Sequence, residues 1–402
     1  MSVLSGKKVL LGISGGIAAY KSPQIVRSLI SSGAEVQVIM TPAAKDFVTP
    51  LTLSTVSNRP VYDAFTEESH DNPIWNDHVA LGKWADIFLI APATSNTLSA
   101  MVHAKCNNLL IATYLSSTCP VYIAPAMDLD MYAHPANQQN IEQLKKIGKK
   151  VLPVGEGFLA SGLQGKGRML EPEEIVSYLT EDIKAQQPLF GKKVMITAGP
   201  TYEPIDPVRF IGNHSSGKMG FALAEEALQM GAEVILIAGP TGLTASADID
   251  RYNVTTAQEM YDRAIDLFKD VDIAIAAAAV ADFKPHKIEP QKIKKDQLMQ
   301  SITLAPTKDI LAEMGSRKRE NQYLLGFALE TQDEHENALK KLRSKNLDAI
   351  VLNSLNDTGA GFSSDHNKIT LIHKNEKSIS FELKPKTEVA KDILSQILTH
   401  HA

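Results

Sequence analysis

The sequence is poor in cysteine and has no excess of positive charge. Its 402 residues include two cysteines, Cys106 and Cys119. Their spacing is not that of a metal site, and so low a cysteine content fits a reducing cytoplasm. Lysine and arginine number 41 against 46 aspartates and glutamates, so we expect no broad basic surface and no nucleic-acid partner.

Long apolar stretches are also missing. The longest run, Ile273 to Ala281, is well short of the ~20 residues that cross a bilayer. The N-terminal Met-Ser-Val-Leu-Ser-Gly-Lys-Lys lacks the apolar core of a secretion signal. We therefore expect a cytoplasmic protein without a membrane partner, and a chain of this length should form two or three globular domains.

The two halves of the chain begin with similar patterns. Each contains three short apolar runs suited to parallel strands that are buried on both faces, with helix-like patterns between them. The paired runs are 6–14 with 191–198, 33–41 with 231–238, and 85–91 with 271–276. Any two doubly wound domains share this likeness, so duplication is left open. We predict an α/β protein with two doubly wound, mostly parallel-sheet domains, 1–186 (flavodoxin-like or Rossmann-like) and 187–402 (Rossmann-like).

Neither half carries the signature of an NAD-binding domain. The first loop, residues 12–21, lacks G-x-G-x-x-G, and the second strand ends at Thr41 without an acidic residue for a ribose diol. The loop of Ser14, Gly15 and Gly16 that opens a helix could instead hold a single phosphate. Such loops also serve as ordinary tight turns.

A second glycine-rich stretch, residues 212–219, matches a P-loop except at its last position. Met219 offers a thioether where a P-loop needs a hydroxyl ligand for Mg²⁺. The nearest strong strand, residues 193–197, is separated from Gly212 by a segment with three prolines, Pro200, Pro204 and Pro207, which cannot continue it. We therefore reject a P-loop at this position.

Longer motifs resemble known families. Residues 14–21, 78–86, 91–97 and 125–132 resemble the flavin-dependent cysteine decarboxylases. Residues 206–220, 278–282, 292–295 and 326–331 resemble phosphopantothenate–cysteine ligase. In this order on one chain they resemble the bifunctional bacterial coenzyme A biosynthesis proteins over nearly the whole length.

The resemblance implies that the second half activates 4'-phosphopantothenate with CTP, forming an acyl-cytidylate that cysteine then attacks. Arg209, Asn213 and Lys292 would serve catalysis, and Mg²⁺ or Mn²⁺ would arrive with CTP, with Asp282 as a candidate protein ligand. The helix entry at Ser215, Ser216, Gly217 and Lys218 would receive the acyl substrate or its phosphate. CTP would contact Ala276, Ala277, Ala278, Asp282, Lys292, Lys308, Asp309, Ile310, Leu311, Phe327, Lys341 and Lys345. The residues alone do not decide between CTP and ATP, and Lys341 and Lys345 could also mark a solvated helix face.

For the first half the resemblance implies FMN, which takes electrons from the cysteine sulphur so that CO₂ can leave and then returns them. His78 would act as a base or orient the substrate. The FMN contacts would be Ser14, Gly15, Gly16, Thr41, Ala91, Thr94, Ser95, Asn96 and Met127. The glycines at 155, 157, 165 and 167 predict a substrate lid with hinge freedom.

Two positions in the first half depart from the family pattern. Asp128 stands where an asparagine is usual, and Ser161 stands where the lid carries a proton-donating cysteine. Because a serine hydroxyl is a far weaker acid than a thiol, we hypothesise that a protonated Asp128 supplies the proton, with water or Cys106 as lesser candidates. The alternative is an active ligase with an impaired or silent flavin domain.

The resemblance also implies small-molecule substrates and a homo-oligomer. Flavin domains of the family form trimers and ligase domains form dimers, which together give a dodecamer.

Overall fold

The structure, a computed structural model, describes residues 2–67, 74–294, 301–330, 332–354 and 364–401. Two residues of the motifs above, Lys295 and Thr331, lie outside the described residues. The chain divides into two compact units, Ser2–Lys184 and Ala185–Ala402. None of the described helices combines the length and apolarity that a bilayer crossing requires.

The N-terminal unit contains a six-stranded parallel sheet in the order β3-β2-β1-β6-β7-β8. Its elements are β1 (Lys8–Ile13), a 3₁₀ segment (Ile17–Lys21), α1 (Ser22–Ser31), β2 (Glu35–Met40), a second 3₁₀ segment (Pro42–Asp46), α2 (Pro50–Ser57), β3 (Val61–Tyr62), β4 (Thr66–Glu67), β5 (Ile74–Trp75), α3 (His78–Trp84), β6 (Ile87–Ala93), α4 (Ser95–Val102), α5 (Leu109–Ser116), β7 (Val121–Pro125), α6 (Leu129–Ala133), α7 (Pro135–Lys146), β8 (Lys150–Val151), β9 (Gly155–Phe158), β10 (Gln164–Arg168) and α8 (Pro172–Ala185).

The central strand β1 is apolar along its length because the sheet is covered on both faces. Val9, Leu11 and Ile13 belong to one hydrophobic cluster, and Leu10 belongs to another. Successive side chains of a strand point to opposite faces, so one strand contributes to two cores. The run predicted from the sequence is therefore a strand with no solvent-facing side.

The C-terminal unit contains an eight-stranded sheet in the order β15-β14-β11-β16-β19-β20-β21-β22, in which β21 and β22 are antiparallel and the others parallel. Its elements are β11 (Lys193–Ala198), β12 (Tyr202–Pro204), β13 (Phe210–Gly212), α9 (Lys218–Gln229), β14 (Glu233–Ala238), β15 (Asp250–Asn253), α10 (Ala257–Phe268), β16 (Ile273–Ala276), β17 (Phe283–Pro285), β18 (Leu304–Pro306), α11 (Ile310–Arg317), β19 (Tyr323–Glu330), α12 (Glu334–Ser344), β20 (Ala349–Ser354), β21 (His366–His373), β22 (Ser378–Pro385) and α13 (Lys386–His401). The predicted fold class, α/β with mostly parallel sheets, is confirmed.

The stretch that resembles a P-loop lies in a different setting. β13, which ends at Gly212, pairs antiparallel with β12 outside the main sheet. The helix α9 begins only at Lys218, after Gly217 with φ +79°. A P-loop requires a buried parallel strand that runs into the first glycine, and this segment has none.

Gly220 allows the start of α9 to lie directly on β11. A Cβ atom at residue 220 would be 2.5 Å from the Cβ of Ala198 and 3.1 Å from its Cα. Phe221, Leu223 and Ala224 then bury the same side of the helix in the core. The close approach places the first turn of α9 beside the carboxyl end of β11.

We expect Gly220→Val to destabilise the C-terminal unit by about 1–3 kcal/mol or more, because added methyl groups in a packed core force the backbone apart. Gly242→Val is the matched control, since a Cβ at residue 242 meets nothing within 4 Å. Urea denaturation followed by circular dichroism measures both. Equal midpoints for the two variants would show that the contact with Ala198 is not tight.

Candidate functional site

The C-terminal unit has a cavity of about 560 Å³ at the carboxyl ends of β11, β16 and β19. Ligands of doubly wound sheets bind at this edge. The cavity wall includes the predicted substrate residues Ser215, Ser216, Gly217 and Lys218, the predicted catalytic residue Asn213, and the predicted nucleotide residues Ala276, Ala277, Ala278, Asp282, Lys308, Asp309, Ile310, Leu311, Phe327, Lys341 and Lys345. Arg209 and Lys292 are predicted site residues that do not line it.

Lysines on one wall of this cavity are held by carboxylates. The Nζ of Lys345 lies 2.9 Å from Oδ2 of Asp309, and the Nζ of Lys341 lies 2.7 Å from Oε1 of Glu330. Burial raises the pKa of Asp309, but the hydrogen bond from Lys345 and backbone N–H donors outweigh it, so the pKa is lowered. Both lysines are therefore positioned by carboxylate partners at the cavity wall.

The start of α11 adds backbone donors to the same wall. Asp309 is the N-cap of α11, and its Oδ1 accepts the N–H of Ala312 at 2.9 Å. Lys308, the residue before it, lies over the ring of Tyr261 at 4.5 Å. A helix N-terminus flanked by ammonium groups favours a bound anion.

Asn213 fixes the loop that carries Asp282. Its Nδ2 donates to the carbonyl oxygens of Ala279, at 2.9 Å, and Val280, at 3.2 Å. Asp282 itself is exposed. Within the described ranges no group of three or more His, Cys, Asp or Glu side chains could hold a metal ion.

The two predicted residues outside the cavity are joined by Asp206, to which the sequence analysis gave no role. Its side chain is fully buried and accepts from Arg209 Nη1 at 2.9 Å and from the backbone N–H of Ile293 at 3.2 Å. Arg209 also donates to the carbonyl oxygen of Ile293 at 3.3 Å. Burial raises the pKa of Asp206, but three backbone N–H donors and Arg209 outweigh it, so the pKa is lowered. The ionised carboxylate ties Arg209 to the segment that carries Lys292.

In the N-terminal unit, hydrogen bonds of the Ser14 side chain connect the loop after β1 to the loop after β6. Its Oγ donates to the carbonyl oxygen of Pro92 at 2.7 Å and accepts the N–H of Thr94 at 3.0 Å. A Cβ on Gly15 would be 2.7 Å from the Cβ of Ala43, and one on Gly16 would be 3.1 Å from Thr94. Larger residues do not fit, so the backbone forms a tight concave loop.

The side-chain hydroxyl of Thr41 lies beside this loop and makes no hydrogen bond within the described residues. Its backbone N–H donates to the carbonyl oxygen of Ile13 at 2.9 Å. Its Oγ1 is buried and has no hydrogen-bond partner in the described part of the chain. A buried hydroxyl normally has a partner, so this position suits a polar group of a bound molecule.

The remaining predicted flavin contacts lie at the end of β6, at the start of α4 and just after β7. Ala91 is fully buried in β6, and Asn96 is exposed on α4. Ser95 is engaged in a 2.6 Å hydrogen bond to Oδ1 of Asn137. Met127 follows β7, and its N–H donates to the carbonyl oxygen of Gly167 at 3.0 Å.

The predicted lid is a hairpin of β9 and β10 with the exposed Ser161 in its turn. Two of its glycines have a different role from the expected hinge. A Cβ on Gly165 would be 2.7 Å from Leu129, and one on Gly167 would be 2.4 Å from the carbonyl oxygen of Met127. These glycines let the base of the hairpin pack on the segment that contains Asp128.

Asp128 is the N-cap of α6, and its Oδ1 accepts the N–H of Leu129 at 2.8 Å. An asparagine oxygen can make the same hydrogen bond. The capping oxygen must be unprotonated, so only Oδ2 is able to carry a proton. The hypothesis that Asp128 is an acid therefore depends on this second oxygen.

His78 is the first residue of α3, where Asp77 caps the helix. The centre of its ring lies 6.3 Å from the ring centres of both Phe65 and Trp75. Its Nδ1 is buried and finds no hydrogen-bond partner among the residues that the structure describes. The structure shows no hydrogen bond between His78 and the loop of Ser14 within those residues.

Comparison with known proteins covers both halves. Residues 2–184 match the family described as Flavoprotein, and residues 189–400 match the family described as DNA/pantothenate metabolism flavoprotein C-terminal domain. The chain is 44% identical over 402 residues to the coenzyme A biosynthesis bifunctional protein CoaBC of Vibrio vulnificus strain YJ016, with 99% of each chain covered. The corresponding protein of Bacillus subtilis strain 168 is 44% identical over 401 residues, 98% of this chain and 97% of that protein.

A relative with a different name is 53% identical over 357 residues. It is called cysteine/cysteine sulfinic acid decarboxylase and comes from an unknown prokaryotic organism, and the match covers 88% of this chain and 99% of that protein.

Replacing Asp206 by asparagine should loosen the segment that carries Lys292, because the amide loses the ion pair with Arg209 and one of the two acceptors. Hydrogen exchange followed by mass spectrometry should show about tenfold faster exchange in peptides spanning 286–294. Asp266→Asn is the control, since Asp266 is an exposed partner of Lys269. Unchanged exchange in the Asp206 variant would mean that other contacts hold the segment.

Proposed function

This chain belongs to the family of bifunctional coenzyme A biosynthesis proteins, and we propose how its two halves work. The C-terminal half joins 4'-phosphopantothenate to cysteine with CTP, and the N-terminal half decarboxylates the product to 4'-phosphopantetheine with FMN. The observation that carries the proposal is the 560 Å³ cavity, because one space holds both the predicted nucleotide residues and the predicted acyl-substrate residues.

In the ligase half, a carboxylate oxygen of the acyl substrate attacks the α-phosphorus of CTP and pyrophosphate leaves. The amine of cysteine then attacks the acyl carbon, CMP leaves with the bonding electron pair, and the amine proton passes to solvent. Lys341 and Lys345 exchange Glu330 and Asp309 for phosphate oxygens and stabilise the charge that develops on pyrophosphate. The lysines already lie at the cavity wall, so little reorganisation is needed.

Arg209 and Asn213 serve the acyl-transfer steps in this proposal. They flank the short strand β13, so the antiparallel pair of β12 and β13 positions both residues. Asn213 holds the loop of Ala279 and Val280, while Arg209 shares Asp206 with the segment of Lys292. Mg²⁺ would arrive with CTP and be held mainly by its phosphates, and Asp282 would be the candidate protein ligand.

The ligase proposal predicts that Lys345→Met lowers kcat/KM for CTP by about 10- to 100-fold, because one cation that stabilises the departing phosphates is lost. Lys340→Met is the matched control, since Lys340 is an exposed lysine on the same helix. The measurement is pyrophosphate release with phosphopantothenate, cysteine, CTP and Mg²⁺. Wild-type protein that forms no CMP and no amide product under these conditions would refute the ligase assignment.

The N-terminal half fits FMN in this proposal. The concave loop at Ser14 and Gly16 and the free hydroxyl of Thr41 suit its phosphate and ribityl chain. Ala91, Thr94, Ser95, Asn96 and Met127 would border the isoalloxazine ring. Bound FMN supplies reversible two-electron transfer with the substrate thiol.

The chain's own residues supply substrate binding and protons. His78 presents Nδ1, which is buried and has no partner in the described ranges, and serves as base or orienting group for the thiol. Asp128 donates the last proton from Oδ2, while Oδ1 stays bound to the N–H of Leu129. Ser161 is carried by the lid hairpin, which packs on the segment of Asp128 through Gly165 and Gly167.

A second candidate activity of the N-terminal half is decarboxylation of free cysteine to cysteamine. The favouring observation is Asp128, whose capping role suits an ionised carboxylate. Such a carboxylate repels the carboxylate of a substrate but attracts the α-ammonium group of a free amino acid, which an N-acylated cysteine lacks. The relative at 53% identity is named a cysteine/cysteine sulfinic acid decarboxylase, which supports this candidate.

Asp128→Asn separates the two roles of this residue. If Asp128 donates the proton, the variant should release CO₂ from phosphopantothenoylcysteine but accumulate a product lighter by two hydrogens. If it pairs with an α-ammonium group, the variant should lose about 10-fold or more of its activity on free cysteine without CTP. Asp130→Asn, an exposed acid in the first turn of the same helix, is the control. Product masses and rates like those of wild type on both substrates would exclude both roles.

We also propose a cytoplasmic homo-oligomer, with contacts between flavin domains and between ligase domains. Cys106 and Cys119 are free thiols, in keeping with a reducing compartment. Phe158 and Leu163 on the lid hairpin are 72% and 44% exposed, which supports their burial against another copy.

A further inference from the structure

The buried face of α7 in the N-terminal unit includes a polar residue. The helix turns Asn137, Ile141 and Leu144 toward the interior, at the spacing of four and three residues that defines one side of a helix. Asn137 is 7% exposed, although asparagine is a poor residue both for a helix and for a core. An apolar side chain would pack better, so packing does not explain this residue.

The side-chain amide of Asn137 joins two other helices. Its Nδ2 donates to the carbonyl oxygen of Met131 in α6 at 2.7 Å, and its Oδ1 accepts from Oγ of Ser95 in α4 at 2.6 Å. A backbone carbonyl oxygen can only accept, so the amide nitrogen must face Met131 and the amide oxygen must face Ser95. The amide therefore connects the start of α4 to the helix that Asp128 caps.

The position of α6 depends on contacts at its two ends. None of its five residues is buried, and Tyr132 packs only in part against a core cluster. Asp128 caps the start. At the other end, the carbonyl oxygen of Met131 also accepts the N–H of His134 at 3.3 Å, and that of Tyr132 accepts Nε2 of Gln138 at 2.5 Å. A helix this short is not stable alone, so side-chain amides of α7 help to set where it lies.

The same contact fixes the direction of the Ser95 hydroxyl. A serine hydroxyl has one proton, and the amide oxygen of Asn137 takes it. The oxygen of Ser95 keeps only lone pairs, so it can accept a hydrogen bond from a bound molecule but cannot donate one. FMN offers matching donors, because its oxidised ring carries an N–H and its ribityl chain carries hydroxyls.

We propose that Asn137 is a positioning residue of the decarboxylase half. It holds the helix that Asp128 caps against the start of α4, and it makes Ser95 a hydrogen-bond acceptor toward FMN. This rests on the proposed FMN-dependent function, which places FMN beside Ser95 and the substrate beside Asp128. Asn137 acts through Met131 on one side and through Ser95 on the other.

Hydrogen exchange of the FMN-free chain, followed by mass spectrometry, tests the link to α6. Asn137→Leu keeps the branched shape of the side chain and suits the buried face, but it removes both hydrogen bonds. Exchange in peptides spanning 129–134 should become about tenfold faster, while peptides spanning 139–146 of α7 change by less than about twofold. Gln139→Leu, an exposed residue of the same helix, should match wild type.

Two results of this exchange experiment would overturn the link. Unchanged exchange at 129–134 would mean that other contacts hold α6. Equally faster exchange along all of α7 would mean that Asn137 only stabilises its own helix. If Asn137→Leu does not fold, Ser95→Ala decides, because it leaves Oδ1 of Asn137 without its donor. That variant should speed exchange at 129–134 by about two- to threefold, and no change would refute the link.

The affinity for FMN, measured by fluorescence titration, tests the role of Ser95. Ser95→Ala removes the acceptor, and Asn137→Leu frees the hydroxyl from its fixed direction, so each should raise the Kd for FMN by about 3- to 10-fold. The double variant should bind FMN no more weakly than Ser95→Ala, because Asn137 acts on FMN through Ser95. Effects that multiply in the double variant, or an unchanged Kd in Asn137→Leu, would refute this part.

Rates of CO₂ release separate the role of Asn137 from the function on which it rests. At saturating FMN, Asn137→Leu should lower kcat by about tenfold because Asp128 is no longer held in place, and an unchanged kcat would refute that placement. Wild type that binds FMN but releases no CO₂ from phosphopantothenoylcysteine or free cysteine would refute the proposed activity, while the exchange and affinity results would still decide the role of Asn137. Wild type that binds no FMN would refute both the flavin assignment and the role of Ser95.

Discussion

Both halves of this chain depend on one constraint, which is that parallel strands buried on both faces end at the same edge of their sheet. The hydrogen bonds of β1 with β2 and β6 place the loops of Ser14, Thr41 and Thr94 side by side. The bonds of β11 with β14 and β16 do the same for Thr197 and the segment from Ala276 to Asp282. Loop backbones can meet this closely only where side chains are small, which is why Gly15 and Gly220 lie at these junctions.

The charges of the ligase half divide into permanent and exchangeable pairs. Asp206 is fully buried and holds Arg209 and the backbone at Ile293, so removing either partner would leave an uncompensated charge. Asp309, Glu330 and Asp365 are more exposed and hold Lys345, Lys341 and Lys218. Pairs of the second kind position the lysines, and under the proposed function a phosphate could replace the carboxylates at little cost.

Sequence patterns were sufficient for the strands and for most of the cavity. The runs of 191–198 and 271–276 contain β11 (Lys193–Ala198) and β16 (Ile273–Ala276). A parallel strand that is covered on both faces needs apolar residues in succession, and this pattern is visible in the sequence. The sequence analysis missed Asp206 as a partner of Arg209 and missed three residues of the cavity wall, Lys386, Asn353 and Asn367. Their positions depend on elements that are far apart in sequence. Lys386 could be recognised only after α13 was seen to pack beside α9. The lid glycines were recognised but misinterpreted in part, because close packing of Gly167 on Met127 leaves no trace in the local sequence.

The flavin half shows how a structural role can constrain a chemical one. Asp128 caps α6 through Oδ1, and a capping oxygen is favoured as an unprotonated acceptor. A proton on Oδ2 would weaken that cap, whereas an asparagine would leave it intact and could donate no proton to carbon. An aspartate at this position therefore costs little when ionised and becomes a useful acid only when a neighbouring negative charge, such as a bound substrate carboxylate, favours its protonated form. Whether Asp128 acts as an acid or as a partner for an ammonium group thus follows from the substrate that lies beside it, because the cap itself is compatible with both.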